Sequence, residues 1–175
     1  MMKNRRLAQI KRMRGLSAPG AALDALDRKI LEQLQADGRM SVVDLAAKVA
    51  LSPTPCLRRI RNLERDGVIS RYVAVLDQRA VGLPVSVFVS IKLEKQKQES
   101  LDHFAKAVSR WPEVLECYLM TGSRDYWLRV VVPDLEAYER FVKQKLTRVE
   151  GIASIESSFA LEQVKYTNVL PLVGQ

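Results

Sequence analysis

The stretch Leu51–Gly67, LSPTPCLRRIRNLERDG, gathers the side chains of this sequence best suited to grip a polyanion. Four arginines, Arg58, Arg59, Arg61 and Arg65, fall within eight positions behind Pro53 and Pro55. A guanidinium offers a planar fork of donors that bonds a guanine edge or a phosphate bidentately. Ser52 is placed to cap a helix. Pro53 falls at its first position, where a missing N–H costs nothing, and Pro55 is still inside the first turn. Gly67 ends the helix. Along it Cys56, Leu57, Ile60 and Leu63 recur at core spacing, while Thr54, Arg58, Arg61 and Arg65 form the opposite stripe, with Arg59 beside it. The chemistry is recognition, not bond-making.

The rest of the inventory is poor in catalytic material. His103 is the single histidine, and its plain reading is an exposed helix residue. No nucleophile–base pair, phosphate loop or Cys/His metal spacing occurs, so neither an enzyme nor a bound cofactor or metal is expected. Cys56 and Cys117 make no disulfide framework. The longest apolar runs, such as Val130–Pro133, fall far short of the roughly 20 residues of a membrane helix. No secretory core follows the basic start. A cytoplasmic, nucleoid-associated protein is the expectation.

The formal charge of +8 locates the partner. Met1–Leu76 holds 15 Lys and Arg against 7 Asp and Glu, whereas Asp77–Gln175 holds 13 of each. The whole excess therefore sits in the first 76 residues. That is the footprint of a nucleic-acid-binding part joined to a neutral part with other work.

Periodicity supplies the elements that position the arginines. Leu23, Leu26, Ile30, Leu31 and Leu34 mark a helix over 23–35, capped by Asp24 and stopped at Asp37-Gly38. A short helix follows from Ser41, with Asp44 three residues on, through Leu45, Ala46 and Val49. The arginine helix is the third. Three helices joined by short turns, the last with a basic exposed face, describe a helix-turn-helix whose final helix enters a DNA major groove. Val68–Leu76 alternates as a strand, the wing of such a domain.

Residues 77–84, DQRAVGLP, read as a linker. Beyond it strands are expected over 85–93, 114–120, 126–132 and 152–164, and helices over 99–110 and 135–149, with a turn at 121–125. This βαββαβ order is the ferredoxin-like unit, so the fold class is α+β. The expected divisions are a basic disordered arm (1–22), a DNA-binding domain (23–76), the linker, and a ferredoxin-like domain (85–175). One sheet face is left bare by the two helices. Placing Val87, Val89, Ile91, Tyr118, Leu128 and Val130 on that face implies a second copy to cover them.

From Leu23 to Leu172 the sequence resembles the Lrp/AsnC (leucine-responsive regulatory protein/asparagine-synthetase regulator) family of transcription factors. LDRKILEQLQADGRMSVVDLAAKVALSPTPCLRRIRNLERDGVI and ECYLMTGSRDYWLRVVVPDLEAYERF carry the resemblance, and SSFALEQVKYTNVLPL is similar to a proteobacterial subgroup. The resemblance implies double-stranded DNA as partner, dimers that pair into octamers, and a small effector, usually an amino acid, in clefts between dimers. It also implies that Thr121, Gly122, Ser123, Arg124 and Asp125 form the effector loop, with Ser157 reaching the same cleft. An amino acid's ammonium needs a carboxylate such as Asp125, and its carboxylate suits backbone N–H groups around Gly122. Without the resemblance the same five residues are a plain hairpin turn. Ser123 and Arg124 stand where many relatives carry a second acid, Ile155 replaces a common Thr, and Ala50 replaces a common Gly. The effector's identity stays open. A nucleoid architectural protein, binding by charge alone, is the alternative function.

Overall fold

The computed structural model describes residues 23–172, so the basic arm at 1–22 lies outside the described residues. The chain forms two compact units. Among the described residues, one comprises 23–74 together with 167–172, and the other is Val75–Tyr166.

In the first unit, helix α1 is Ala25–Ala36, α2 is Val42–Lys48 and α3 is Pro53–Arg65. Asp24 caps α1 by accepting from the Asp27 N–H at 2.8 Å, and Asp27 returns the bond to the Asp24 N–H, closing a capping box. Ser41 accepts from the Asp44 N–H to start α2. Ala50, with φ of +56°, makes the left-handed turn into α3 at the strain a Cβ brings there. Ser52 occupies the cap position of α3 but makes no side-chain cap bond. The reason lies in the sequence: a cap serine accepts from the second or third helical N–H, and Pro55 removes the third. Ile30, Leu31, Leu45, Ala46, Val49, Cys56, Ile60 and Leu63 form the buried core.

No strand forms over Val68–Leu76. Val68 and Ile69 pack against the helical core, but Tyr72, Val73, Val75 and Leu76 are exposed. Alternation alone cannot make a strand, because an extended segment without a neighbour leaves its N–H and C=O groups unpaired.

The second unit is a βαββαβ arrangement: β1 (Val85–Leu93), α4 (Gln98–Val108), β2 (Val114–Leu119), β3 (Tyr126–Val132), α5 (Leu135–Gln144) with a short 3₁₀ turn at Leu146–Arg148, and β4 (Ile152–Phe159). The sheet is antiparallel in the order β2-β3-β1-β4. The expected linker opens with an ordered turn of this unit: Gln78 reaches the Leu83 carbonyl and Ser86, and Asp77 accepts from the Ala80 N–H. The last strand stops at Phe159 rather than 164, and residues 162–172 carry no regular structure.

The two faces of the sheet are the reverse of the expectation. Val87, Val89, Ile91, Leu128 and Val130 are fully buried beneath Leu101, Phe104, Tyr138 and Phe141 of the helices. Of the residues assigned to the bare face, only Tyr118 is there. Opposite Trp127 in the β2–β3 register, it joins Phe88, Trp127 and Arg129 on the open side. Strand parity explains the reversal: the more apolar of two alternating sets goes under the helices, and the mixed set is left outside.

Candidate DNA-contacting and effector surfaces

The proline-headed helix presents Ser52, Thr54, Arg58, Arg61 and Arg65 to solvent, with Pro55 half-buried. Arg58 and Arg61 have no hydrogen bond or ion pair with other described residues, so their guanidinium groups are available to an anion. Arg65 is turned to its neighbour Asp66 at 3.0 Å. Arg59 does something different. Its Nη1 bonds Asp24 at 2.6 Å and Asp27 at 2.7 Å, tying α3 to the capped end of α1. Of the arginines expected to touch DNA, it is thus engaged as a brace inside the unit.

The Asp27 N–H and the Arg59 guanidinium together hold the Asp24 carboxyl below the usual carboxylate range. A carboxyl with a folded-state pKa below its unfolded one contributes stability that is present above the unfolded value, about 4. That stability is lost as pH falls through the folded value. Arg59→Ala is therefore expected to lower the melting temperature of the helical unit at pH 7 by a few degrees. The gap to wild type should close as the pH falls toward 3. Melting followed by helical circular dichroism across that range checks it, and a gap independent of pH would contradict the brace.

The loop between β2 and β3 is pinned from three sides. The Met120 N–H bonds the Asp125 carbonyl at 2.8 Å, the Asp125 N–H bonds the Ile91 carbonyl at 2.8 Å, and Asp125 Oδ2 accepts from the Leu93 N–H at 2.9 Å. Asp125 is only 2% exposed, so the acid foreseen as a ligand contact also staples the loop to β1. Arg124 does not pair with Asp125. It reaches across to β4, donating to Ser154 Oγ at 2.7 Å and pairing with Glu156. Thr121, Gly122 and Ser123 are exposed, and Gly122 holds a φ of +115° that side chains rarely adopt. Ser157 is not drawn to this loop: it lies opposite buried Val89 in the register and bonds the Tyr138 hydroxyl of α5.

Two features of the sheet unit are not foreshadowed by motifs in its sequence. Phe88 and Trp127 stack on the open face, centroids 4.8 Å apart, beside Tyr118. Strand parity carried that signal. A cavity of about 540 Å³ opens nearby between Gln78, Phe88, Arg129 and residues 160–165, and none of the candidate effector residues lines it. Nothing local in the sequence announces it, because residues some 80 positions apart build it. Among the described residues no group of three or more His, Cys, Asp or Glu is arranged to hold a metal, and no helix is long and apolar enough to cross a membrane.

Residues 23–70 match the family described as "Winged helix-turn-helix DNA-binding", and residues 86–170 match the "Lrp/AsnC ligand binding domain". The Bkd operon transcriptional regulator of Pseudomonas aeruginosa is 48% identical over 152 residues, which is 87% of this chain and 99% of that protein. An AsnC family transcriptional regulator from Agrobacterium tumefaciens superposes with a TM-score of 0.82 at 53% identity, over 86% of this chain and 97% of the other. A Neisseria meningitidis transcriptional regulator, solved as a complex with L-Met, also gives 0.82, at 40% identity and the same coverages.

Proposed function

Because the chain belongs to the Lrp/AsnC family of transcription regulators, we propose that it binds specific duplex sites as a two-fold assembly and answers to an amino acid. One observation carries the DNA half of this reading. Arg58 and Arg61 stand exposed and unpaired among the described residues, on a helix whose start is fixed by proline and whose other face is core. Ser52 and Thr54 at the helix head are the further base- or backbone-contacting groups, and Arg65 reaches phosphate by exchanging its exposed pairing with Asp66. Such a protein acts on chromosomal DNA in the cytoplasm and carries out no catalysis.

The effector half rests on the β2–β3 loop. Exposed N–H groups around Gly122 suit a carboxylate. Asp125 spends Oδ2 on the Leu93 N–H, and among the described residues no bond occupies Oδ1, which is left for an ammonium. Arg124 flanks the site from the loop, whereas Ser157 is engaged by the Tyr138 hydroxyl and is left out of it. The L-Met complex of the Neisseria relative supports an amino acid as the ligand class. Two copies meet through the open sheet face, and pairing of dimers into an octamer brings effector loops together.

A thermal-shift screen of the 20 amino acids tests the effector reading, since a ligand of the folded state raises its melting temperature by mass action. At least one is expected to shift the wild-type protein. Asp125→Asn keeps an acceptor for the Leu93 N–H but removes the charge, so it should weaken that ligand roughly tenfold or more while leaving DNA affinity unchanged. No shift with any amino acid would refute the effector reading, and an equal shift in both proteins would place the ammonium elsewhere.

A further inference from the structure

The DNA-binding unit is not a continuous stretch of chain. After β4 the polypeptide returns, and Thr167–Leu172 belong with α1–α3. The attachment is specific. The Gln35 carboxamide, at the end of α1, grips both main-chain groups of Leu170: the Leu170 N–H donates to Gln35 Oε1 at 2.6 Å, and Gln35 Nε2 donates to the Leu170 carbonyl at 3.1 Å. An extended residue points its N–H and C=O to one side, so a single carboxamide can stand in for a neighbouring strand. Pro171 disfavours any helical conformation at Leu170 and holds it extended for that grip. One residue on, Leu172 packs against the helical core. Val169 N–H bonds Thr167 Oγ1 at 3.1 Å, shaping the approach.

We propose that Thr167–Leu172 is a strap that positions the recognition helix for specific DNA, with Gln35 as its positioning residue. The force path runs through α1. The strap holds the C-terminal end of that helix at Gln35, and the N-terminal end holds Arg59 of α3 through Asp24 and Asp27. A three-helix core of this size is close to the limit of independent stability, so one more leucine and two hydrogen bonds are a large increment. The strap follows residues 160–166, which lead away from the end of β4 at Phe159. The chain therefore passes between the two units twice, at Ala74–Val75 and at Tyr166–Thr167. This proposal concerns DNA positioning and holds whether or not an amino acid binds.

The test uses the full chain in three variants: Gln35→Ala, a stop after Tyr166, and the two combined. The probe is a duplex selected by the wild-type protein from a random pool, with an unselected duplex as control. At a temperature where circular dichroism shows each variant folded, Gln35→Ala and the truncation should each weaken the selected duplex about five- to tenfold. Binding to the unselected duplex should stay within twofold, because charge alone supplies it. The double variant should be no weaker than the truncation, since both remove one contact. Should the truncation fail to fold, Gln35→Ala and Leu172→Ser are compared in its place, with the same expected selective loss. Unchanged affinity for the selected duplex, equal weakening on both duplexes, or effects of Gln35→Ala that simply add to the truncation would each overturn the strap.

Discussion

Arg58→Ala is expected to lower affinity for a selected duplex by about 1–3 kcal/mol, roughly 5- to 150-fold, if the side chain reads a base edge. Folding should be untouched, because Arg58 is exposed and pairs with no described residue. Arg61, one turn further on, lies farther from the helix head that enters the groove. Its replacement should weaken selected and unselected duplexes alike and flatten the salt dependence by about one phosphate contact. Arg59→Ala should act differently from both, losing stability before affinity, since its guanidinium already serves Asp24 and Asp27. The three arginines are thereby distinguished by salt titration and melting together. An Arg58→Ala protein that binds every duplex as wild type does would remove this residue from the interface.

The second large effect concerns the open sheet face. Tyr118, Trp127 and Phe88 form an aromatic row there, with Arg129 paired to Glu116 at its margin. Tyr118 is 48% exposed, an unusual state for a large ring on a folded sheet. Aromatic side chains at the centre of an interface are the groups whose loss costs most, commonly 2 kcal/mol or more. Trp127→Glu places a charge in the middle of the row and should raise the dissociation constant of the proposed dimer at least about 30-fold. Sedimentation equilibrium reads this directly. The sheet itself should survive, because the helix-covered face holds the core. Specific DNA affinity should fall with dimerisation, since two recognition helices on one duplex reinforce each other. A wild-type protein that is monomeric at micromolar concentration, or a Trp127→Glu protein that associates normally, would contradict the interface.

Elements with strong local signals were legible in the sequence. The arginine helix announced its start by Pro53 and its end by Gly67, and β1 and β3 were bounded as they occur. Failures arose where a residue's fate depends on partners far along the chain. Val68–Leu76 has the alternation of a strand but, among the described residues of the chain, no strand alongside it to bond. The valines of β1 and β3 were assigned to the wrong face, because periodicity separates two sets without saying which meets the helices. Arg59 looked like its neighbours in composition, and only folding brings it to Asp24 and Asp27, some 30 residues earlier. The Gln35–Leu170 clamp spans 135 positions and leaves no local mark. The loop at 121–125 was located correctly as a turn, yet the staple from Asp125 to Leu93 and the reach of Arg124 to Glu156 depend on strand order.

The most direct measurement is a footprint on duplex DNA selected from a random pool, with and without each amino acid that stabilises the protein. A regulator of the proposed kind protects a discrete site with two half-sites about one helical turn, or a multiple of it, apart. The amino acid changes the occupancy of that site, because a ligand acts only by binding two states unequally. Uniform protection along the duplex, with no preferred site and no response to any amino acid, would contradict the regulator and leave a protein that binds DNA by charge alone.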